Sequence, residues 1–459
     1  MSSELFAVIE EQGLIDGNEV NLQKIQELSK SEIIDFAYNT TEMTSSKHMS
    51  REKSVYAFSS SISLSGNVYP CSSLKCRLEK ARNLAQFSAL YSDRVYIDYF
   101  PSDYVNHVEK NDKIDLGSIQ ERLANDLAVL SYYRPLIEAG KIIPITHPHY
   151  CAHCLTKSFG DNADKRLKDI FPALQKRYRE ETVVTIEKRG KKYIVRVSAS
   201  ETLIEHGSTS YISNTVPYLE NVPHILNELE AGKKVTLTSN DIKRINLDKE
   251  LASHVHNNLV FELASTQTIN TRFLTDRDLD IDSIKNILGD PTIDERNQLV
   301  QKYFNFLVPF VEDADPAELL KLRQSEGDAF IVFRKGLNQI IDEYKNQKDG
   351  FTENDAREIY GDIIEPKLAQ LNDKVVIARK KLLKDTASKI VGWAGAISFG
   401  WYAGLLPTEL ATAATTLGLV KVIAELAEGT LNKSNVNSSI RDEPMYFLWK
   451  VKKKIEEAK

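Results

Sequence analysis

The residues best suited to chemistry are four cysteines, which fall in two pairs. One pair is Cys71 and Cys76, and the other is Cys151 and Cys154, which form a C-x-x-C sequence. Four thiolates suit a tetrahedral zinc ion, and a C-x-x-C turn directs two thiolates at one metal. Histidines beside the second pair supply alternative ligands, namely His147, His149 and His153. The sequence therefore favours free thiols beside loop histidines, with a structural zinc ion as the alternative.

No complete catalytic set of residues accompanies the cysteines. The sequence has no H-E-x-x-H, P-loop or G-x-G-x-x-G motif. His206 and Ser208 lack a G-x-S-x-G elbow and a third partner, which favours a simple turn. The alternating acids from Asp276 to Asp282 do not form an EF-hand loop, because Ile281 stands where that loop needs glycine. Enzymatic activity is left open, and a non-catalytic protein is favoured.

A second unusual feature is the uncharged stretch from Ile390 to Thr408. Small residues recur every four positions in it and form a stripe that lets two helices approach closely. Its tryptophans are amphipathic rings suited to an interface. The pattern predicts a helical hairpin over residues 390–420 that is buried in a helical domain or contacts a partner or a membrane. The predicted contact residues are Gly392, Trp393, Ala396, Gly400, Trp401 and Gly404.

Hydrophobic periodicity predicts the elements around the first cysteine pair. Apolar residues at helical spacing predict a helix over residues 74–91 and another that follows a capping box at Ser118–Glu121. Residues 94–99 and 141–145 are rich in β-branched and aromatic side chains and predict short strands. We therefore expect mixed α/β structure in the N-terminal half.

The clearest hairpin prediction covers residues 182–199. Apolar residues alternate on both sides of Gly190, and glycine supplies the positive φ that a tight turn needs. From Tyr218 onward helical patterns dominate. The predicted fold class is α+β and mainly helical, with a mixed α/β N-terminal half that holds a small antiparallel sheet and an all-α C-terminal half.

These patterns divide the chain into four predicted regions. Residues 1–50 form a helical lead-in, and residues 51–215 form a mixed α/β domain that the zinc ion would staple. Residues 216–310 are helical with short strands. Residues 311–459 form an all-helical domain that contains the apolar hairpin.

Composition limits the partners and the compartment. The net charge is −6, which argues against a nucleic-acid binder held by bulk charge. The N-terminal residues lack the basic and apolar pattern of a secretory signal, and four cysteines are too sparse for a disulfide scaffold. We therefore expect a cytoplasmic protein, with peripheral contact at the inner face of the membrane as an extension of that expectation.

The sequence leaves three functions in competition. The first is a soluble, bacterial-type interaction or regulatory protein that binds a protein partner or a second copy of itself. The second is a conditional membrane-active effector, of a defence or toxin type, that uses the hairpin 390–420. The third is a hydrolase that depends on zinc or on paired carboxylates.

Overall fold

The computed structural model describes residues 2–44, 52–69, 71–101, 104, 115–146, 161–288, 295–311, 314–346, 351–377 and 438–458. The chain divides into two compact units, Met1–Lys302 and Tyr303–Lys459, called unit 1 and unit 2 below. Among the described residues, all strands lie in unit 1, and unit 2 is helical. The predicted α+β class, with a mixed N-terminal half and a helical C-terminal half, is confirmed.

The described strands all belong to small sheets. They are β1 (Ile15–Asp16), β2 (Glu19–Val20), β3 (Ala57–Ser60), β4 (Arg94–Asp98), β5 (Ile142–Ile145), β6 (Val183–Arg189), β7 (Lys192–Ser198), β8 (Ser208–Ser213), β9 (Val235–Thr236) and β10 (Arg272–Leu274).

The described helices of unit 1 connect these strands. They are α1 (Ser2–Glu11), α2 (Leu22–Glu27), α3 (Lys30–Met43), α4 (Leu74–Leu90), α5 (Leu116–Glu138), α6 (Asp161–Glu181), α7 (Pro223–Glu230), α8 (Ser239–Arg244), α9 (Leu247–Ile269) and α10 (Asp278–Leu288). Helix α11 (Glu295–Leu307) contains the boundary with unit 2.

A four-stranded parallel sheet forms the centre of unit 1, with the strand order β5-β4-β3-β10. The chain runs from β3 through α4 to β4, then through α5 to β5. It later returns to place β10 on the other side of β3. The strands are short and largely buried, as parallel strands covered by helices are.

Helices cover both faces of this sheet. Ala57 of β3 packs in a buried cluster with Ile269 of α9. The next residue, Phe58, contacts Phe87 of α4 edge to face, with ring centroids 5.4 Å apart. Because neighbouring residues of a strand point to opposite faces, α9 and α4 lie on opposite sides of β3.

An antiparallel sheet forms the second β-layer of unit 1, with the order β8-β7-β6-β9. The predicted hairpin 182–199 is confirmed, because β6 and β7 pair from Val183 with Ser198 to Arg189 with Lys192. Gly190 has a φ of +60° in the turn, as expected. Val184, Ile186, Val195 and Val197 point into one buried cluster with α7 and α8.

One predicted helix boundary is wrong. Helix α5 begins at Leu116 rather than after Ser118, because the Asp115 side chain accepts a hydrogen bond from the Ser118 N–H at 3.0 Å and caps the helix earlier. Pro135 lies within this helix, which continues to Glu138. Helix α10 starts at Asp278, so Asp278 and Asp280 of the 276–282 run lie in its first turn, where carboxylates interact favourably with the helix dipole.

Every regular element among the described residues of unit 2 is a helix, and the main helical segments follow in chain order. They are α12 (Pro316–Ser325), α13 (Gly327–Lys345), α14 (Glu353–Glu358), the π-helical turn Ile359–Ile364, residues 365–377, α15 (Ser438–Arg441) and α16 (Tyr446–Ala458). Phe330 and Phe333 of α13 pack on Phe447 of α16, with ring centroids 5.5 and 5.6 Å apart. Among the described helices, none combines the length and apolar composition needed to cross a bilayer.

Candidate functional site

Polar side chains collect at the carboxyl edge of the parallel sheet. The residues after β3 run Ser61-Ile62-Ser63-Leu64-Ser65-Gly66, β4 ends at Asp98, and β10 is followed by Thr275 and Asp276. Because parallel strands end at the same edge, these polar groups meet in one region. In open α/β sheets, ligands bind in the crevice outside this edge, where the strand order reverses. Here the order reverses between β3 and β10.

The loop after β3, called the β3 loop below, is held by its own backbone. The Ser61 N–H donates to the Leu274 carbonyl oxygen of β10 at 2.7 Å, and the Ser65 N–H donates to the Ser61 carbonyl oxygen at 3.0 Å. The Ser61 hydroxyl accepts from the Leu64 N–H at 3.2 Å. The loop is thus a fixed structure that joins the two strands flanking the reversal point.

Gly66 allows helix α4 to approach the β3 loop closely. Its φ is +79°, and a β-carbon at this position would lie 2.8 Å from the backbone oxygen of Arg77. Any other residue would be strained and would push the helix away. The glycine therefore sets the distance between the loop and the first turns of α4.

The buried side chain of Arg77 stabilises this arrangement by a hydrogen bond and an ion pair. Its Nε donates to the Gly66 carbonyl oxygen at 2.7 Å, and its Nη2 pairs with the buried carboxylate of Asp126 on α5. The side chains of Arg77 and Asp126 are 1% and 0% exposed. Tyr104 donates its phenolic O–H to the second oxygen of Asp126 at 2.6 Å. A buried ion pair thus fixes the loop to two helices.

Lys80 bridges two carboxylates at the reversal point. One turn after Arg77 on α4, it forms ion pairs with Asp276, which follows β10, and with Glu205, which lies before β8. Burial lowers the pKa of Lys80, but the Asp276 and Glu205 carboxylates outweigh this effect and hold the pKa above its ordinary value. Lys80 therefore stays protonated and links three segments that are distant in sequence.

Two further buried carboxyl groups, those of Glu262 and Asp280, belong to the same charged cluster as Lys80 and Asp276. Glu262 of α9 accepts a hydrogen bond from the Ile62 N–H of the β3 loop at 2.6 Å. Asp280 of α10 accepts from the Thr275 hydroxyl at 2.8 Å, and Arg277 lies 3.7 Å from its other oxygen. Burial raises the pKa of both carboxyls, and the nearby Asp280 charge raises that of Glu262 further. The region therefore contains acids that hold a proton more readily than usual.

A small pocket of about 10 Å³, with room for about one water molecule, lies beside Lys80. Its walls include Asn67 and Tyr69 beyond the β3 loop, Cys76 and Lys80 on α4, and the turn residues Glu205 and His206. Asn67 donates to the Asp98 carboxylate at the end of β4 at 2.9 Å. Arg77 also lines the pocket, and its Nη1 has no hydrogen-bond partner among the described residues. The lining of the pocket thus contains both hydrogen-bond donors and hydrogen-bond acceptors.

The structure brings half of the predicted zinc ligands to this pocket. Cys71 and Cys76 line it as free, partly exposed thiols. Cys151, Cys154, His147, His149 and His153 lie outside the described residues. Within the described ranges, no group of three or more His, Cys, Asp or Glu side chains could hold a metal ion. The zinc site stays a prediction.

The predicted contact residues of the apolar hairpin, Gly392, Trp393, Ala396, Gly400, Trp401 and Gly404, also lie outside the described residues. His206 is placed by the structure in the turn before β8, with a φ of +61°, as the sequence favoured. The site residues that the sequence did not indicate are Lys80, Glu205 and Glu262, whereas Asp276 was noted only as part of the rejected calcium loop. Their signal was the alternation of short apolar strands with helices between residues 57 and 145, which is typical of a parallel sheet.

The comparisons with known proteins give no relative for this chain. No protein family matches it, and neither the curated proteins nor the solved structures contain a significant match.

Proposed function

We propose that unit 1 binds a small molecule with a nucleoside or nucleotide moiety at the pocket beside β3 and β10, and that this binding serves a regulatory role. The observation that carries the proposal is the strand order β5-β4-β3-β10 with charged and polar side chains, among them Lys80 and Asp276, at its reversal point. The order matches the first four strands of a doubly wound dinucleotide-binding sheet, in which the ligand sits outside the carboxyl edge at the reversal point.

The polar groups of the pocket support this ligand class. At such an edge, carboxylates accept hydrogen bonds from ribose hydroxyls and base N–H groups. Side-chain amides both donate hydrogen bonds to and accept them from the same groups. Asn67, Glu205 and Lys80 provide such groups on three separate segments. The β3 loop has a single glycine, Gly66, and departs from the G-x-G-x-x-G sequence, so recognition of the base and ribose is favoured over a diphosphate cradle.

A regulatory role agrees with the first function predicted from the sequence. The charged side chains at the edge are engaged with one another, as Lys80 is with Asp276 and Glu205. Such a network responds to a ligand by rearranging its ion pairs. As part of the same proposal we place the protein in the cytoplasm, where thiols such as Cys71 and Cys76 persist in the reduced form. The membrane-effector and hydrolase alternatives, and a protein partner, stay predictions.

The test is equilibrium binding to the full chain. Adenosine, AMP, ATP and NAD serve as probes in isothermal titration, with thermal unfolding as a second readout. Binding of one probe in the micromolar to millimolar range is expected, with a rise in Tm because the ligand binds the folded state. Absence of binding by all four probes would overturn the nucleoside class.

Three single-residue variants test where on the protein the ligand binds. Lys80→Met removes a charged donor of the pocket and is expected to weaken binding about 10-fold or more, the usual loss for a hydrogen bond to a charged group. His206→Asn, which keeps a residue tolerant of positive φ in an exposed turn, tests the pocket mouth with little effect on folding. Lys321→Met on α12, an exposed lysine paired with Glu318, is the matched control. Equal affinity of the Lys80 variant and the control would place the ligand elsewhere.

A further inference from the structure

Strand β8 forms an outer edge of the antiparallel sheet. Among the described strands, β7 is the one neighbour that the order β8-β7-β6-β9 gives it. Its six residues are uncharged, none of them is proline, and four of them are exposed to solvent. The side chain of Ile212 is 66% exposed. The strand therefore presents a row of backbone hydrogen-bonding groups that another strand could pair with.

The other outer strands of the two four-stranded sheets are each protected against such pairing. Strand β9 has only two residues and follows Lys233 and Lys234. Strand β10 has three residues, and β5 contains Pro144. Short length, lysine and proline are devices by which proteins keep sheet edges from pairing. Strand β8 has none of these devices, and the contrast favours it as an edge that pairs with another strand.

The hydrogen bonds to β7 determine which backbone groups of β8 point outward. The Ala199 N–H donates to the Gly207 carbonyl oxygen at 3.0 Å, in register with the ladder of β7 and β8. Bonded and non-bonded pairs alternate along an antiparallel ladder, so every second residue counted from Gly207 bonds to β7. The residues between them direct their N–H and carbonyl groups away from β7, and these residues are Ser208, Ser210 and Ile212.

We propose that β8 pairs antiparallel with β8 of a second copy of this chain, about a two-fold axis at Ser210. Backbone groups bond across the join only where two outward-pointing residues face each other. In this register Ser210 faces Ser210 of the second copy, and Ser208 faces Ile212. About six hydrogen bonds would join the two four-stranded sheets into one. A shift by two residues in either direction would leave one of the three residues without a partner.

The side chains on the other face of β8 suit the same register. Tyr211 of one copy lies opposite Thr209 of the other, in a non-bonded pair, where opposing side chains approach most closely. An aromatic residue and a β-branched residue form a favourable cross-strand pair. The two-fold axis repeats this pair, so a second copy supplies it twice.

The charges at the two ends of β8 also complement each other in this arrangement. The exposed Lys191 and Lys192 lie at one end of β8, in the turn between β6 and β7. The exposed Glu201 lies at the other end, where its Cγ is 3.9 Å from the β-carbon position of Gly207. Antiparallel pairing directs the basic end of each copy toward the acidic end of the other. Because opposite charges across an interface steer association and fix its register, this arrangement favours a second copy over an unrelated strand.

The test, which is independent of the proposed nucleoside ligand, is sedimentation velocity of the full chain from low to high micromolar concentration. A species of twice the chain mass of 51.9 kDa is expected to grow with concentration. Hydrogen–deuterium exchange at both ends of this range gives a second readout. The amides of Ser210 and Ile212 are expected to become protected as the dimer forms. The amides of Thr209 and Tyr211, which already bond to β7, serve as the internal control.

Proline variants test the join itself. Ser210→Pro removes an outward N–H, at a position where an edge strand tolerates proline, and is expected to weaken the dimer about 10-fold or more. Ser210→Ala is the matched control, because it loses the same hydroxyl, which accepts from Arg196 Nε at 3.3 Å, but keeps the N–H. Ile212→Pro and Ile212→Ala give a second comparison, which holds even where Ser210→Pro fails to fold by circular dichroism.

Three results would overturn the proposal. One is a wild-type chain that stays monomeric over the whole concentration range, which would leave the edge to an extended segment of a different protein. Another is a dimer that the folded proline variants form as tightly as their alanine controls, because the chains would then associate through a different surface. The third is a dimer whose formation leaves the amides of Ser210 and Ile212 unprotected.

Discussion

Replacing Gly66 by alanine tests whether the β3 loop needs its close approach to helix α4. The native φ of +79° costs an L-residue about 1–2 kcal/mol. The new methyl group would also lie 2.8 Å from the Arg77 carbonyl oxygen and 3.2 Å from Val129 Cγ1. Both atoms are fixed in a packed interior, and such overpacking costs about 1–3 kcal/mol. The expected loss in the free energy of unfolding is therefore about 2–5 kcal/mol.

Gly190 provides the matched control for this prediction. Its φ is +60°, but no atom lies within 4 Å of the position that a β-carbon would occupy. Gly190→Ala therefore carries the backbone cost of about 1–2 kcal/mol without the contact. The difference between the two variants, about 1–3 kcal/mol, isolates the close approach.

The assay is urea-induced unfolding of the full chain, followed by far-UV circular dichroism. Both glycines lie in unit 1, so the same transition is compared in both variants. A lower midpoint with an unchanged slope reports a loss of stability. The reasoning would be refuted if Gly66→Ala lowered the midpoint no more than Gly190→Ala, because the loop would then tolerate a displaced α4.

Two further predictions concern buried charges of unit 1. Asp126→Ala leaves the guanidinium of Arg77 buried without its partner and is expected to lower the unfolding free energy by about 3–5 kcal/mol. In the same urea assay Glu318→Ala, at an exposed ion pair of unit 2, should change little, and equal losses would contradict the prediction. The Glu262 carboxyl, whose pKa is raised by burial and by Asp280, binds its proton more tightly in the folded than in the unfolded state. Its contribution is present at low pH and is lost as pH rises through the raised value, so Glu262→Gln should flatten the fall in Tm above about pH 4.5. Parallel Tm profiles of the two proteins would exclude this role.

Much of the secondary structure could be predicted because its signals are local. The hairpin of β6 and β7 combines period-two alternation with a glycine in the turn, and both act over a few residues. Helix α4 follows from apolar residues at helical spacing. The start of α5 was misplaced because Asp115 and Ser118 are both good capping residues, and the sequence does not show which one the chain uses.

The site itself could not be predicted in this way. Ile62 and Glu262 are 200 positions apart, and Lys80 and Asp276 are 196 positions apart. No local periodicity specifies which strand pairs with β3, and a three-residue strand such as β10 carries little signal of its own. The polar run after β3 lacks the glycines of a nucleophile elbow, so its sequence alone indicates no function. Its meaning depends on the strand order, which tertiary packing decides.

The late arrival of β10 also has a consequence for synthesis on the ribosome. Strands β3, β4 and β5 emerge early from the ribosome. One edge of β3 stays unpaired until β10, Arg272–Leu274, has been synthesised. An unpaired strand edge can form hydrogen bonds with a strand of another chain and so promote aggregation. A nascent polypeptide that stalls before this point would expose the unpaired edge of β3, so aggregation is expected to concentrate in products truncated ahead of β10.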